Sequence, residues 1–334
     1  MSTAATTTST TGTIEAAAIR LSALLTGGGG GLADPGGSTM EFEAVVELRP
    51  LRMGTAPRDV WAVDGGQAVV ADAGCLQVVM ARAARTRFRA GCCVVEDEGP
   101  LRTHLLGGSE GRAALAGLCL DLPPRTAIDL NLIRDRWEWD AVARCLDEAD
   151  PEAMVLVDGD LVADWRIPPS LVGGLLKRAE AAGVLLAAVT KRSSLSRGGA
   201  PLLGQLELEA EAVLGPGARW WARLARIRGP EGSGADVMVV AARLDPAARF
   251  AFRIDLPADA DPEMALGLIA AVSNDAGFPG YPYPLTVADR LAACPGWLRD
   301  EARLVLDEAL ERSGVPYAVR ERAFADRHRL MERA

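Results

Sequence analysis

The chain has 334 residues, 49% of them apolar, and a formal net charge of −9. This is ample for a sizeable core. The negative charge excludes a protein that coats nucleic acid non-specifically, because that affinity comes from Lys and Arg neutralising phosphates. It leaves room for an enzyme that clusters its acids around metal ions while local arginines face a phosphate. Six cysteines with no CxxC pair, beside only His104 and His328, argue against a structural zinc site and for reduced core thiols in a cytoplasmic protein. A secretory signal and a membrane-spanning apolar run are both missing from the pattern, so no membrane partner is expected.

Residues 1–12 are rich in Ser, Thr and Ala and read as disordered, and residues 14–25 have helical apolar spacing. Gly27–Gly31 and Asp34-Pro35-Gly36-Gly37 read as a flexible linker. No strand precedes this run and no Gly-Lys-Ser/Thr follows it, so it does not qualify as a phosphate loop. Strands are predicted near 42–48, 58–64, 68–80 and 91–97, punctuated by glycine-containing turns. A helix over 131–149, a strand at 154–158, a helix at 168–182 and a strand at 184–190 follow, and this alternation implies some parallel pairing. After a Gly/Ser-rich loop at 193–201, strands are predicted at 219–228, 236–243 and 249–255. Helices at 261–274, 285–293 and 298–313 lead to a polar tail from Arg320. The organisation is an N-terminal segment (1–40), one domain (41–315) and a polar helical tail (316–334).

Two hydrophobic strands run straight into Asp-Gly: Val60-Trp61-Ala62-Val63-Asp64-Gly65 and Met154-Val155-Leu156-Val157-Asp158-Gly159. A carboxylate at the C-terminal end of a buried strand is rigidly held, and two such ends side by side would make a divalent-metal site. Taken singly, each is an ordinary Asp-Gly turn. Glu138 is a third candidate, on the helix leading into the second strand. Its bland reading is a solvated partner of Arg134 at i−4. Lys191 follows the strand 184–190 and could steady a phosphate, or be a surface lysine. It is one of only two lysines, with Lys177. Finally, Gly277-Phe278-Pro279-Gly280-Tyr281-Pro282-Tyr283-Pro284-Leu285 makes a proline-fixed approach to a helix carrying Tyr283 and Asp289. The alternative there is a rigid corner with tyrosine as packing.

In order, these elements are an Asp-Gly strand, an Arg-x-x-x-Glu helix, a strand with Asp-Gly-x-Leu, a strand ending in Lys-x-Ser and a Tyr-Pro-Leu helix. Over roughly residues 58–295 they resemble the NurA family of DNA-repair nucleases. The resemblance implies an α/β, ribonuclease-H-like mixed sheet flanked by helices, with additional strands and a helical C-terminal part. It implies manganese- or magnesium-dependent hydrolysis of DNA with two ions, a homodimer, and a HerA-type hexameric ATPase as partner in end resection. By position, Asp64, Glu138 and Asp158 match the acidic metal ligands, Lys191 the lysine-serine motif and Tyr283 the C-terminal tyrosine. Asp289 stands where the family commonly has histidine. Aspartate can ligate manganese but is no imidazole ligand. Two other readings stay open: a catalytically weak NurA-like subunit that binds DNA or the partner, and a nucleotide-binding phosphotransferase of the same core. The second class duplicates its core, and no internal repeat is evident here.

Overall fold

A computed structural model describes residues 13–26, 30–34, 40–123, 126–229, 236–325 and 331. The first twelve residues, most of the glycine-rich stretch and residues 326–330 and 332–334 of the terminal tail lie outside them. In chain order the elements are α1 Ile14–Thr26, β1 Leu32–Ala33, β2 Met40–Phe42, β3 Arg49–Pro50, β4 Asp59–Asp72, β5 Gln77–Arg89, β6 Cys92–Asp97 and β7 Arg102–Leu106. Next come α2 Glu110–Gly117, α3 Leu130–Glu148, β8 Met154–Asp158, α4 Pro169–Ala181, β9 Leu185–Thr190, β10 Ser196–Arg197, β11 Ala200–Pro201 and α5 Leu202–Leu214. The rest are β12 Trp220–Ile227, β13 Val237–Arg243, β14 Phe252–Pro257, α6 Pro262–Ala270, α7 Tyr283–Ala292, α8 Gly296–Arg312 and α9 Tyr317–Ala323.

An 11-stranded mixed sheet organises the chain in the order β2-β12-β13-β14-β9-β8-β4-β5-β6, with β3 on β12 and β7 on β5. β4, β8 and β9 are mutually parallel, and the other pairings are antiparallel. The parallel pairing expected from the β-α-β-α-β run is thus present, as is the ribonuclease-H-like mixed sheet flanked by helices. The two faces of the sheet bury different cores. Trp61, Val63, Val155 and Val157 point toward α3 and α4, with Ile133, Val142 and Leu176. Val60, Ala62, Met154, Leu156 and Val189 point toward α6 and α7, with Leu266, Leu285 and Ala288. Buried strands with apolar residues on both faces are what a covered parallel sheet requires. No described helix is long and apolar enough to cross a membrane.

Local chemistry sets the helix starts. Asp129 caps α3 by accepting from Leu132 N, and Asp261 caps α6 by accepting from Glu263 N and Met264 N, with Pro262 next. At the C-terminal end of α7, Arg82 from β5 donates to the carbonyls of Ala292 and Ala293. That contact satisfies carbonyls the helix cannot.

Several predicted boundaries are corrected. The Gly65-Gly66 pair does not separate two strands. β4 runs through it for 14 residues, so Asp64 lies mid-strand and the true turn is at Ala73–Leu76. The strand expected at 42–48 does not form: β2 ends at Phe42 and β3 begins at Arg49, with no strand between them. The loop at 193–201 holds β10 and β11, and β10 pairs with Leu32–Ala33 from the region read as linker. Helices α2 and α5 were not anticipated, and α6 stops at Ala270 rather than near 274. Nor are the thiols core residues in general: Cys145 is buried, while Cys75, Cys92, Cys93 and Cys119 are exposed.

Packing explains the glycine pair. A Cβ on Gly65 would stand 2.0 Å from Glu138 Oε1, and one on Gly66 would stand 1.7 Å from the Ala292 carbonyl oxygen. The strand is bare on both faces at the point where α3 approaches from one side and α7 from the other. Gly66→Ala should therefore cost about 1–3 kcal/mol of folding stability by overpacking. Urea denaturation would measure it, and an unchanged midpoint would show that α7 does not seat there.

Candidate metal centre

Register brings the acids together. The last parallel pair between β4 and β8 is Val63–Val157, so Asp64 and Asp158 are neighbours one step further. Asp158 pairs with Val189 on β9, and Lys191 lies two residues beyond, on the same face. All three point toward α7, which contributes Asp289 on its second turn. Ligand oxygens of Asp64, Asp158 and Asp289 lie within 4.8 Å of one another, and the three residues run from buried through half-buried to exposed. The cluster is thus closed at the sheet and open to solvent on the α7 side.

The Lys191 ammonium sits among them, 2.6 Å from Asp289 Oδ1, 2.8 Å from Asp158 Oδ2 and 3.7 Å from Asp64 Oδ2. Burial opposes its charge, but Asp158, Asp289 and Asp64 overcome that and raise its pKa. Asp64 also accepts from the Gly65 amide at 2.7 Å. Beneath Asp158, the Thr190 hydroxyl donates to the Gly159 carbonyl at 2.7 Å, and the Gly159 amide donates to Val189 O at 3.1 Å. Asp255, fully buried and paired with Arg253 at 2.9 Å, accepts from Leu161 N. The loop after Asp158 is thereby tied to β9 and β14.

Glu138 is close but stands behind the triad. It belongs to α3, on the opposite face of the sheet, and reaches the space that Gly65 leaves open. Arg134 Nε lies 3.2 Å from its Oε1, the i, i+4 ion pair that the alternative reading named, yet Glu138 is largely buried rather than solvated. Burial pushes its carboxyl up to about 8, with Arg134 opposing and Asp135 and Asp158 adding to the rise.

Tyr283 is not brought into the cluster. Its ring is 44% exposed and meets Phe88 edge-on at 5.6 Å, bordering a surface cavity of about 280 Å³ with Val60, Val272 and Pro284. The tyrosine at the cluster is Tyr281, which sequence reasoning passed over. Only 2% exposed, it carries Lys191 Nζ 5.2 Å from its ring centroid, and its hydroxyl makes no well-formed hydrogen bond. Burial first, then the charges of Asp158 and Asp64, hold its phenol far above the ordinary value, so it remains a donor. The available signal was its place before Pro282, one strand spacing from Tyr283, but both tyrosines satisfied it.

Hard carboxylate oxygens in this number suit magnesium, manganese or calcium rather than thiolate-loving ions. Asp64, Asp158 and Asp289 could hold such an ion, with Glu138 behind them.

No protein-family model matches the sequence, and no curated protein matches it. Solved structures do. The NurA nuclease from Sulfolobus solfataricus is 15% identical, with 80% of this chain and 88% of that one covered, at a TM-score of 0.55. The fold is NurA-like. A second NurA structure is 9% identical over 77% of this chain and 90% of that chain, at a TM-score of 0.44. The human endonuclease V catalytic domain is 16% identical over 80% and 92%, at 0.37. Of these, the first speaks to the fold.

The crowding of like charges has a pH signature. Burial and the Asp158 charge push the Asp64 carboxyl up to about 9, with Lys191 opposing. Below the ordinary carboxylate range both folded and unfolded chains are protonated at Asp64 and Glu138. As pH rises the unfolded chain ionises first, so stability is lost from about pH 4 to pH 8–9. Thermal melts in chelator should therefore fall across this window, while Asp64→Asn should flatten the fall and raise the melting temperature at pH 8. A flat wild-type profile would contradict this electrostatic account.

Proposed function

We propose that this protein is a metal-dependent nuclease that hydrolyses phosphodiester bonds in DNA. The observation that carries the reading is the triad of Asp64, Asp158 and Asp289 on one face of the sheet, around Lys191. A NurA-like fold adds support, since the triad lies on the elements expected to carry metal ligands in such a nuclease. The unit responsible would be residues 41–315.

In this reading Asp64, Asp158 and Asp289 hold manganese or magnesium, as two ions, and Glu138 orients the shell from behind. Divalent ions at such a site polarise a phosphoryl oxygen and lower the pKa of water. Lys191 provides a point charge for the scissile phosphate. Asp289 replaces an imidazole donor with a carboxylate, keeping the site all-oxygen and favouring harder ions. Arg134 keeps Glu138 from adding a full uncompensated charge. Following the family pattern, a HerA-type hexameric ATPase is the proposed partner, with a homodimer as the working assembly in DNA end resection. A phosphotransferase of the same core would need a second copy of it, and the described residues form a single large sheet.

The test is a degradation assay on single-stranded and duplex DNA with manganese, magnesium or chelator. Asp158→Ala and Asp64→Asn should each lower cleavage by at least about 100-fold, the scale expected when several kcal/mol of charge stabilisation are removed. Chelator should abolish it. Full manganese-dependent activity in Asp64→Asn would overturn this function.

A further inference from the structure

The proline-fixed approach to α7 holds a second feature that the metal centre does not use. Phe278-Pro279-Gly280-Tyr281 is a hydrogen-bonded turn, with Tyr281 N donating to Phe278 O at 3.3 Å and Gly280 at φ +90°. Proline at the second position and a positive-φ glycine at the third define a type II turn. The Gly280 amide donates to Ser273 O at 2.7 Å and the Tyr283 amide to Val272 O at 2.8 Å, so the turn is stapled on both sides. A Cβ on Gly280 would meet the Ala248 Cβ at 2.5 Å, which presses the turn against its neighbours.

This geometry places the first and last residues of the turn side by side with opposite fates. Tyr281 is buried under Lys191, whereas Phe278 stays 44% exposed. The Phe278 ring is braced edge-on by Tyr281 at 5.9 Å and by buried Phe252 at 6.2 Å. It is therefore a rigid aromatic surface two ring contacts from the ammonium at the carboxylate triad. A pair of braced edge-to-face contacts fixes a ring at little further entropy cost.

We propose that Phe278 is a stacking platform for an unpaired nucleobase next to the scissile phosphate, which makes single-stranded or frayed DNA ends the preferred substrate. The inference rests on the nuclease reading above. Its physical motive is electrostatic. A chain of net charge −9 presents a carboxylate cluster where a polyanion must bind, and two of the arginines around it already face carboxylates. Arg134 pairs with Asp135 and Glu138, and Arg290 approaches Glu96. An uncharged grip is then worth more, and base–aromatic stacking supplies one without sequence preference. Bases within a duplex already stack on each other, so such a ring reaches only an unpaired one.

The experiment measures fluorescence anisotropy of a labelled single strand, and of a blunt duplex of equal length, with calcium in place of manganese. Manganese affinity is followed separately by electron paramagnetic resonance. Phe278→Ala should weaken single-strand binding about 5- to 100-fold, the range for one lost base stack. Duplex binding and manganese affinity should stay unchanged, and Phe278→Trp should bind the strand at least as tightly as wild type. Equal strand affinity in Phe278→Ala, full affinity in Phe278→Leu, or a parallel loss of manganese affinity would each overturn the stacking role. Wild-type protein that binds no strand would overturn it together with the nuclease reading. Phe278→Ala protein that binds and cleaves the strand as well as wild type would overturn the stacking role alone.

Discussion

Three carboxylates whose oxygens converge within 4.8 Å repel one another, and a folded chain keeps them together only when other forces fix their positions. Here that force is backbone register. Parallel pairing of β4, β8 and β9 aligns Asp64 with Asp158 and sets Lys191 on the same face, and none of these positions can slip by one residue without turning to the other core. The apolar alternation on both faces therefore pins the acids. Two unlike cores, one under α3 and one under α7, make a register shift cost an entire hydrophobic layer.

The fourth position depends on a helix rather than a strand, so its anchoring is different in kind. Asp289 completes the triad because α7 lies against bare backbone at Gly66 and because Arg82 holds the last carbonyls of the helix. Glu138 reaches its place because Gly65 is bare on the other side. One glycine pair thus admits two helices from opposite faces to the same point of one strand. Lys191 supplies a single positive charge against the three aspartates, and Arg134 faces Glu138. The cluster stays poor in counter-charge, which is the condition for attracting a hard cation.

Much of this was legible in the sequence because it depends on local pattern. The 154–158 strand and its flanking helices follow from period and length, and both Asp-Gly pairs stand out as polar interruptions of buried runs. What was not legible depends on contacts distant in sequence. Gly65-Gly66 has the local signature of a turn, and only the approach of Glu138 and Ala292, the latter more than 200 positions away, reveals it as a packing gap. The choice between Tyr281 and Tyr283 is of the same type. Both precede proline in one short repeat, and the type II turn that buries the first against Phe252 requires β14 to be in place. Helix α5, residues 202–214, was not anticipated although Leu202, Leu206 and Ala210 recur at helical spacing, while the two-residue strands β10 and β11 are too short to leave a periodic signal.

The position of Tyr281 connects these points. A buried phenol without a well-formed hydrogen bond is unfavourable by itself, since the desolvated hydroxyl recovers no partner energy. The aromatic packing with Phe252 and Phe278 compensates, and it does so while holding the ring beneath Lys191. Its neighbours on either side of the turn then divide the work: the buried ring sets the ammonium over the carboxylates, and the exposed ring faces solvent at their margin. A proline-rich corner that packs only for stability would bury both rings, as apolar transfer favours. That one ring is left out, braced and two ring contacts from the Lys191 ammonium, is the reason to regard the corner as part of the site rather than as a hinge next to it.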